Sequence, residues 1–263
     1  MTAGSAEVKA CCASTYAGDA ARWLLGDRFH PGGSALTHEL IEALGVGPGQ
    51  LVVDIASGPG TSTLQVARET DCDVIGIDLS AASVQAARDA AERSGLADRA
   101  RFEKGDAEAL PLGDGVADGV ISECALCTFP DKQAAAAEIA RVLKPGMRLA
   151  LSDMVADPAR LAPELQTLAG WVSCVADARP LPEVEALLGD AGLECERSER
   201  HDDALADMLD RVEARLRAAR VLGGLAPPSL VENVERGLAM IDCARAAIAD
   251  GVLGYAVLVA RRA

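Results

Sequence analysis

Positive charge is in short supply in this 263-residue chain. Lys and Arg number 25 against 40 Asp and Glu, which leaves a formal charge of −15 and a pI near 4.6. That balance argues against a strong electrostatic grip on nucleic acid or anionic lipid, and it suits a cationic or neutral small molecule better than a polyphosphate. Aromatic residues are only 3% of the sequence. The first residues, "MTAGSAEVKACCASTY", lack the charged start and apolar core of a secretory signal, and no apolar run is long enough to cross a bilayer. The expectation is a cytoplasmic protein with neither nucleic-acid nor membrane partners. In that compartment thiols stay reduced, so cysteines serve packing, metal binding or catalysis. No repeat period or low-complexity tract is present.

What the chain does have is a 50% hydrophobic content, enough for a full core, arranged as apolar runs that alternate with helical stretches. "QLVVDIA" (50–56), "CDVIGIDLS" (72–80), the short "RARFEKGDA", "DGVISECA" and "MRLALSDMV" read as strands. Helices run between them, and one stops at the breaker Lys144-Pro145-Gly146. This alternation predicts an α/β fold, a doubly wound, mostly parallel sheet with helices on both faces. "PEVEALLGDAGLECERSERH" gives a further helix and strand, and "GYAVLVARR" a last strand. The expected organisation is an N-terminal helical lid over 1–45, with a sharp turn at "FHPGG", and a core over 46–201. A helical insert follows over 202–250, and 251–263 returns to the core sheet as its final strand.

"VVDIASGPGTST" places Gly58 and Gly60 between a buried strand and a helix. Glycines there allow a tight turn and let a ligand approach free backbone amides at the helix N-terminus. Asp78, at the end of the next strand and about twenty residues on, stands where a carboxylate takes both ribose hydroxyls of a nucleoside. The third glycine of a dinucleotide fingerprint is missing, since Thr61-Ser62-Thr63 follow Gly60. After the third strand, "KGDAEALPL" offers Asp106 to an exocyclic adenine amine and Ala107 to the ring.

As a set these residues resemble the class I S-adenosylmethionine-dependent methyltransferases over 48–155, including "RVLKPGMRLALSD". The resemblance implies a seven-stranded Rossmann-like sheet and S-adenosyl-L-methionine as cofactor. It assigns cofactor contacts to Asp54, Ala56, Ser57, Gly58, Gly60, Asp78, Leu79, Gly105, Asp106, Ala107 and Glu123. Asp54 is expected to support the loop or to lie near the methionine amino group. Ala56 stands where the family usually has its first glycine, which is tolerable if the backbone there is not left-handed.

Methyl transfer to oxygen or nitrogen often uses a base. The histidines are His30, His38 and His201, none in the segment after the fourth strand, and each reads as solvated or capping. That segment, "ECALCTFPDK", carries thiols instead, and a thiolate is a soft ligand. A trivalent metalloid held by thiolates keeps a lone pair that can attack a sulfonium methyl without a base. "ACC" near the N-terminus, Cys124, "PDK" and Cys174 in "WVSCVADARPL" resemble the arsenite methyltransferases. The resemblance implies that Cys11, Cys12, Cys124 and Cys174 hold trivalent arsenic as a metalloid substrate, with a cellular thiol reductant as partner; with Cys127 in the same segment as Cys124, at least three of these five thiols are expected at the substrate site. It is partial: Thr63 stands where that family has a cysteine, Cys127 replaces an asparagine-containing segment, and the C-terminal thiols have no match. Cys72, Cys195 and Cys243 are expected to pack. The alternatives are methylation of a small organic molecule with the cysteines as packing, a non-enzymatic thiol metal binder, and a structural zinc site.

Overall fold

A computed structural model describes residues 9, 14–16, 18–26, 29–166, 175, 177–222 and 226–263, the side chain of residue 229 excepted. After helices α1 (Asp19–Leu25) and α2 (Gly33–Leu44), strand and helix alternate. The order is β1 (Leu51–Ile55), α3 (Thr61–Thr70), β2 (Asp73–Asp78), α4 (Ala81–Ser94), β3 (Ala100–Lys104) and β4 (Ala117–Glu123). Next come α5 (Lys132–Val142), β5 (Leu143–Ala156), α6 (Leu181–Asp190) and β6 (Leu193–Arg200). The chain closes with α7 (Asp202–Leu222), α8 (Pro228–Ala249) and β7 (Leu253–Arg262). The seven strands form one sheet in the order β3-β2-β1-β4-β5-β7-β6. All neighbours are parallel except β7, which runs antiparallel to both β5 and β6.

The inner strands are apolar on both faces, as a sheet covered twice requires. Val52, Val74, Ile121 and Val257 point to the face covered by α2, α3 and α4. Val53, Ile77, Val120 and Leu258, an odd number of positions away along their strands, face α5 and α6. Local chemistry starts the helices where the chain leaves a turn: Ser80 caps the N-terminus of α4 by accepting from the Ser83 amide, and Asp131 that of α5 by accepting from the Ala134 amide.

Leu36, Leu40, Ile41 and Leu44 of α2 are buried in the main core, so the last part of the 1–45 segment covers the sheet itself. α1 belongs elsewhere. Trp23 and Leu24 pack on Leu216, Leu230 and Val234 of the α7–α8 pair, and Arg215 donates to the Leu24 carbonyl. The insert and the first helix thus share a small core of their own. Cys72 is buried in the core and Cys243 packs against it, but Cys195, expected to pack, is exposed on the edge strand β6. No helix among the described residues is long and apolar enough to cross a membrane.

Candidate active site

Strand order reverses between β1 and β4, and in open α/β sheets ligands bind in the crevice outside the strand ends at such a point. Here the loops after β1, β2, β3 and β4 wall a pocket there, closed on its remaining side by Lys9, Tyr16, Phe29 and His30.

The loop after β1 is left-handed at three places: Ala56 (φ 59°), Gly58 (φ 54°) and Gly60 (φ 82°). The expectation of an ordinary backbone at Ala56 is therefore corrected: the alanine sits in the region that the family's usual glycine would adopt without strain. A Cβ at Gly60 would come within 2.7 Å of the Phe102 ring and 2.9 Å of Ala87, so only glycine lets α3 start this close to the sheet. At Gly58 the space is open toward the pocket.

Asp78 fastens this loop to β2. Its Oδ2 accepts from the Gly58 amide and its Oδ1 from the Ser80 amide, both at 2.8 Å. Burial pushes its carboxyl up, and the two amides act the other way. Asp54, deeper, is pushed up to about 8, first by burial; the Thr63 hydroxyl opposes the shift, and the charges of Glu123 and Asp78 add to it. Three acids thus crowd one pocket, where they oppose one another's ionisation and a bound cation would favour it.

After β3, Gly105 leaves no room for a Cβ beside Ile77 and Pro111 (2.7 and 2.8 Å). Asp106 Oδ1 accepts from the Glu108 amide, and Lys9 Nζ bridges Asp106 (2.6 Å) and Glu108 (2.5 Å). Nothing in the sequence signalled Lys9, which comes from the far N-terminus.

After β4, Cys124 lines the pocket in a left-handed conformation (φ 54°), its amide donating to the Ser152 carbonyl at 2.7 Å. Cys127 does not accompany it. The short 3₁₀ turn Leu126–Thr128 carries Cys127 into the main core, 4% exposed, where its amide donates to Asp153. A joint pocket-side pair of these two thiols is thereby corrected. Cys11, Cys12 and Cys174 lie outside the described residues. Among the described residues, the cluster of possible metal ligands is Glu39, Glu199 and His201, which contains no cysteine; Arg197 already pairs with both of its carboxylates.

His30 is the residue the sequence reading misjudged. Expected to be solvated or capping, it is 6% exposed and forms part of the pocket wall. Its Nδ1 lies 3.1 Å from the Pro31 carbonyl and 3.4 Å from Glu123 Oε1, and its buried Nε2 has no hydrogen-bond partner among the described residues.

With this geometry stands the match of residues 47–192 to a methyltransferase domain family. The chain is a class I S-adenosylmethionine-dependent methyltransferase. It is 29% identical over 181 residues to an O-methyltransferase from Pyrenophora dematioidea, covering 67% of each protein. To the arsenite methyltransferase of Halobacterium salinarum it is 33% identical over 154 residues, covering 56% of this chain and 38% of that one. The chain thus spans between about 40% and two thirds of these relatives' lengths. Its fold matches the crystal structure of a [4+2]-cyclase with a TM-score of 0.79, at 22% identity, over 99% of this chain and 97% of the other.

The methyltransferase takes S-adenosyl-L-methionine as cofactor. The pocket fits that group on its own terms. Ser57 has a buried hydroxyl oxygen with no partner among the described residues, Gly58 leaves open space, and the acids suit a sulfonium and an ammonium.

Proposed function

We propose that this methyltransferase transfers methyl to a hydroxyl oxygen of a small organic molecule. The observation that carries this reading is the wall beyond the glycine loop. It is built from Tyr16, Phe29, Ala125 and Phe129, with Cys124 as the one pocket thiol among the described residues. Tyr16 and Phe29 form a ring pair 6.0 Å apart, so much of a chain poor in aromatics spends them here. Such a wall suits an apolar organic body. The likeness to the Pyrenophora O-methyltransferase supports the same reading.

In this reading Asp78 takes the ribose hydroxyls with its remaining lone pairs, and Leu79 and Ala107 flank the adenine, with Asp106 at its amine. Ala56, Ser57, Gly58, Gly60 and Gly105 give the cofactor close approach to backbone, while Asp54 and Glu123 supply charge near its methionine end. The bound cofactor supplies an electrophilic methyl on a cationic sulfur. The protein's contribution is to align the acceptor oxygen opposite that sulfur and to keep water out. The N-terminal segment acts as the lid, with Lys9 bound to Asp106 and Glu108 and with Tyr16, Phe29 and His30 in the wall.

A second reading has a specific observation behind it: a trivalent arsenic, held by thiolates and aided by a cellular thiol, as the acceptor. Cys124 is in the pocket wall at a strained backbone position, a kind of site where function concentrates, and an arsenite methyltransferase is among the relatives. Against it stands Cys127, whose placement in the core removes one of the thiols that would have to converge.

The two readings part at Cys124→Ser. With cofactor labelled in its methyl group, the hydroxyl reading expects the variant to retain at least about half of wild-type turnover on an organic acceptor. Loss of all transfer in a variant that still binds S-adenosylhomocysteine would overturn it in favour of a thiol-held acceptor.

A further inference from the structure

In the wall of the pocket, His30 is a buried basic group with no role yet in methyl transfer, and its surroundings define its state. The Nδ1 of His30 faces the Pro31 carbonyl at 3.1 Å, and a carbonyl only accepts. Glu123 Oε1 lies 3.4 Å from the same nitrogen. The hydrogen of the neutral ring therefore belongs on Nδ1, and Nε2 carries the lone pair. That lone pair is sealed from solvent and has no partner among the described residues, although the ring is part of the pocket wall. Buried polar atoms are nearly always paired, so this unpaired nitrogen on a ring of the pocket wall needs an explanation, and a catalytic role is one.

We propose that His30 is the base that receives the acceptor's proton and that Glu123 is its positioning residue; this rests on the hydroxyl reading of the site. A neutral hydroxyl that takes a methyl becomes a strongly acidic oxonium, so its proton must leave as the bond forms. The balance closes within the pocket. The acceptor oxygen bonds to the methyl carbon, and the carbon–sulfur bond breaks with its electron pair on sulfur, leaving a neutral thioether. The proton passes to Nε2. The positive charge lost from the sulfonium reappears on the imidazolium beside Glu123, so the buried site gains no net charge, which matters where the dielectric is low.

Glu123 is held for that role. It is itself buried, and the Thr37 hydroxyl lies 3.2 Å from each of its carboxylate oxygens. The one Thr37 hydroxyl hydrogen is shared with the Gly33 carbonyl, 3.1 Å away on the preceding turn of α2, so it serves one of these acceptors at a time. A carboxylate so placed keeps Nδ1–H pointing away from the acceptor and stabilises the imidazolium once formed. The Pro31 ring and the left-handed Gly32 and Gly33 that follow turn the chain sharply into α2, which fixes where His30 sits relative to the end of β4.

The test uses the full-length protein, methyl-labelled cofactor and a series of phenols of graded acidity, from 4-methoxyphenol to 4-nitrophenol. For His30→Ala, kcat at saturating substrate should fall about 10²–10⁴-fold on the least acidic phenol. The loss should shrink steadily toward the most acidic, which reaches the site already ionised, and added imidazole should restore part of the activity. Glu123→Gln should lower kcat with the same trend but less steeply. S-adenosylhomocysteine binding by His30→Ala at near wild-type affinity establishes that the variant is folded; His30→Gln serves in its place if it is not. A loss equal across all phenols, or no loss, would overturn the proposal. Wild-type inactivity on every phenol counts against the hydroxyl reading instead. The inference is then decided by ¹⁵N NMR of the His30 ring in the protein bound to S-adenosylhomocysteine. A neutral Nδ1–H tautomer supports it, and an Nε2–H tautomer contradicts it.

Discussion

Thr63 donates its hydroxyl to Asp54 across 2.5 Å at the base of the pocket, and both side chains are buried. The hydroxyl is the only polar side-chain contact found for that carboxylate among the described residues, and burial wins: the folded Asp54 is pushed up from 3.8 to about 8. Its folded form therefore keeps a proton that the unfolded chain gives up near 3.9. The resulting stability is fully present below about pH 3.9 and is lost as pH rises toward 8. Thermal melts of the cofactor-free protein should show the melting temperature falling between pH 5 and 8. Asp54→Asn, which cannot ionise, should flatten that fall and be the more stable protein at pH 8. A variant with the same slope as wild type would remove Asp54 as its cause.

Cofactor binding should reverse that protonation. A sulfonium and an ammonium near Asp54 favour its ionised form, so binding near pH 7 should release protons. Titration calorimetry in two buffers of different ionisation enthalpy reads this directly. Proton uptake, or none, would argue that Asp54 stays clear of the cofactor's charges.

Asp78→Ala removes the carboxylate proposed to bind the ribose and also frees the Gly58 amide from its anchor. Losing hydrogen bonds to a charged group costs about 1.5–3 kcal/mol, so affinity for S-adenosylhomocysteine should fall about tenfold or more. Unchanged affinity in a folded variant would sink the ribose assignment.

At Ala56 the left-handed backbone costs roughly 1–2 kcal/mol relative to glycine. Glycine's greater freedom in the unfolded chain returns about 0.4–1 kcal/mol of that. Ala56→Gly should therefore raise the unfolding free energy by up to about 1.5 kcal/mol in denaturant titrations without weakening cofactor binding. A destabilised variant would show that the alanine methyl contributes packing in the pocket wall.

Lys9 holds the N-terminal segment to Asp106 and Glu108, with its own side chain and that of Glu108 less than a fifth exposed. An ion pair of this kind contributes about 0.2–1 kcal/mol. Lys9→Met should speed S-adenosylhomocysteine release up to about fivefold in stopped-flow displacement. An unchanged release rate would leave Lys9 no part in closing the lid.

The sheet, its last strand and the helices before it were legible because strand and helix periods alternate cleanly and Gly or Pro breaks fall between them; that this strand runs antiparallel was not, since pairing direction depends on the long return through α7 and α8. The glycine loop with Asp78, whose partners are set by local spacing, was legible too. The thiols were not legible in the same way. Cys124 and Cys127 are separated by a turn whose left-handed start and 3₁₀ geometry send one side chain to the pocket and the other to the core. No local pattern distinguishes the two. His30 escaped notice because its role depends on Glu123 and Thr37, which reach it only once α2 packs beside β4. Lys9 is the same case, since its partners follow β3.

The acceptor separates the two readings, and a single competition identifies it. The protein would be given methyl-labelled cofactor together with arsenite, glutathione and a mixture of phenols and secondary alcohols, and every labelled product identified by mass spectrometry. Transfer to a hydroxyl should put the label in O-methyl ethers, with methylated arsenic at or near background. Label chiefly on arsenic, abolished by Cys124→Ser, would contradict it.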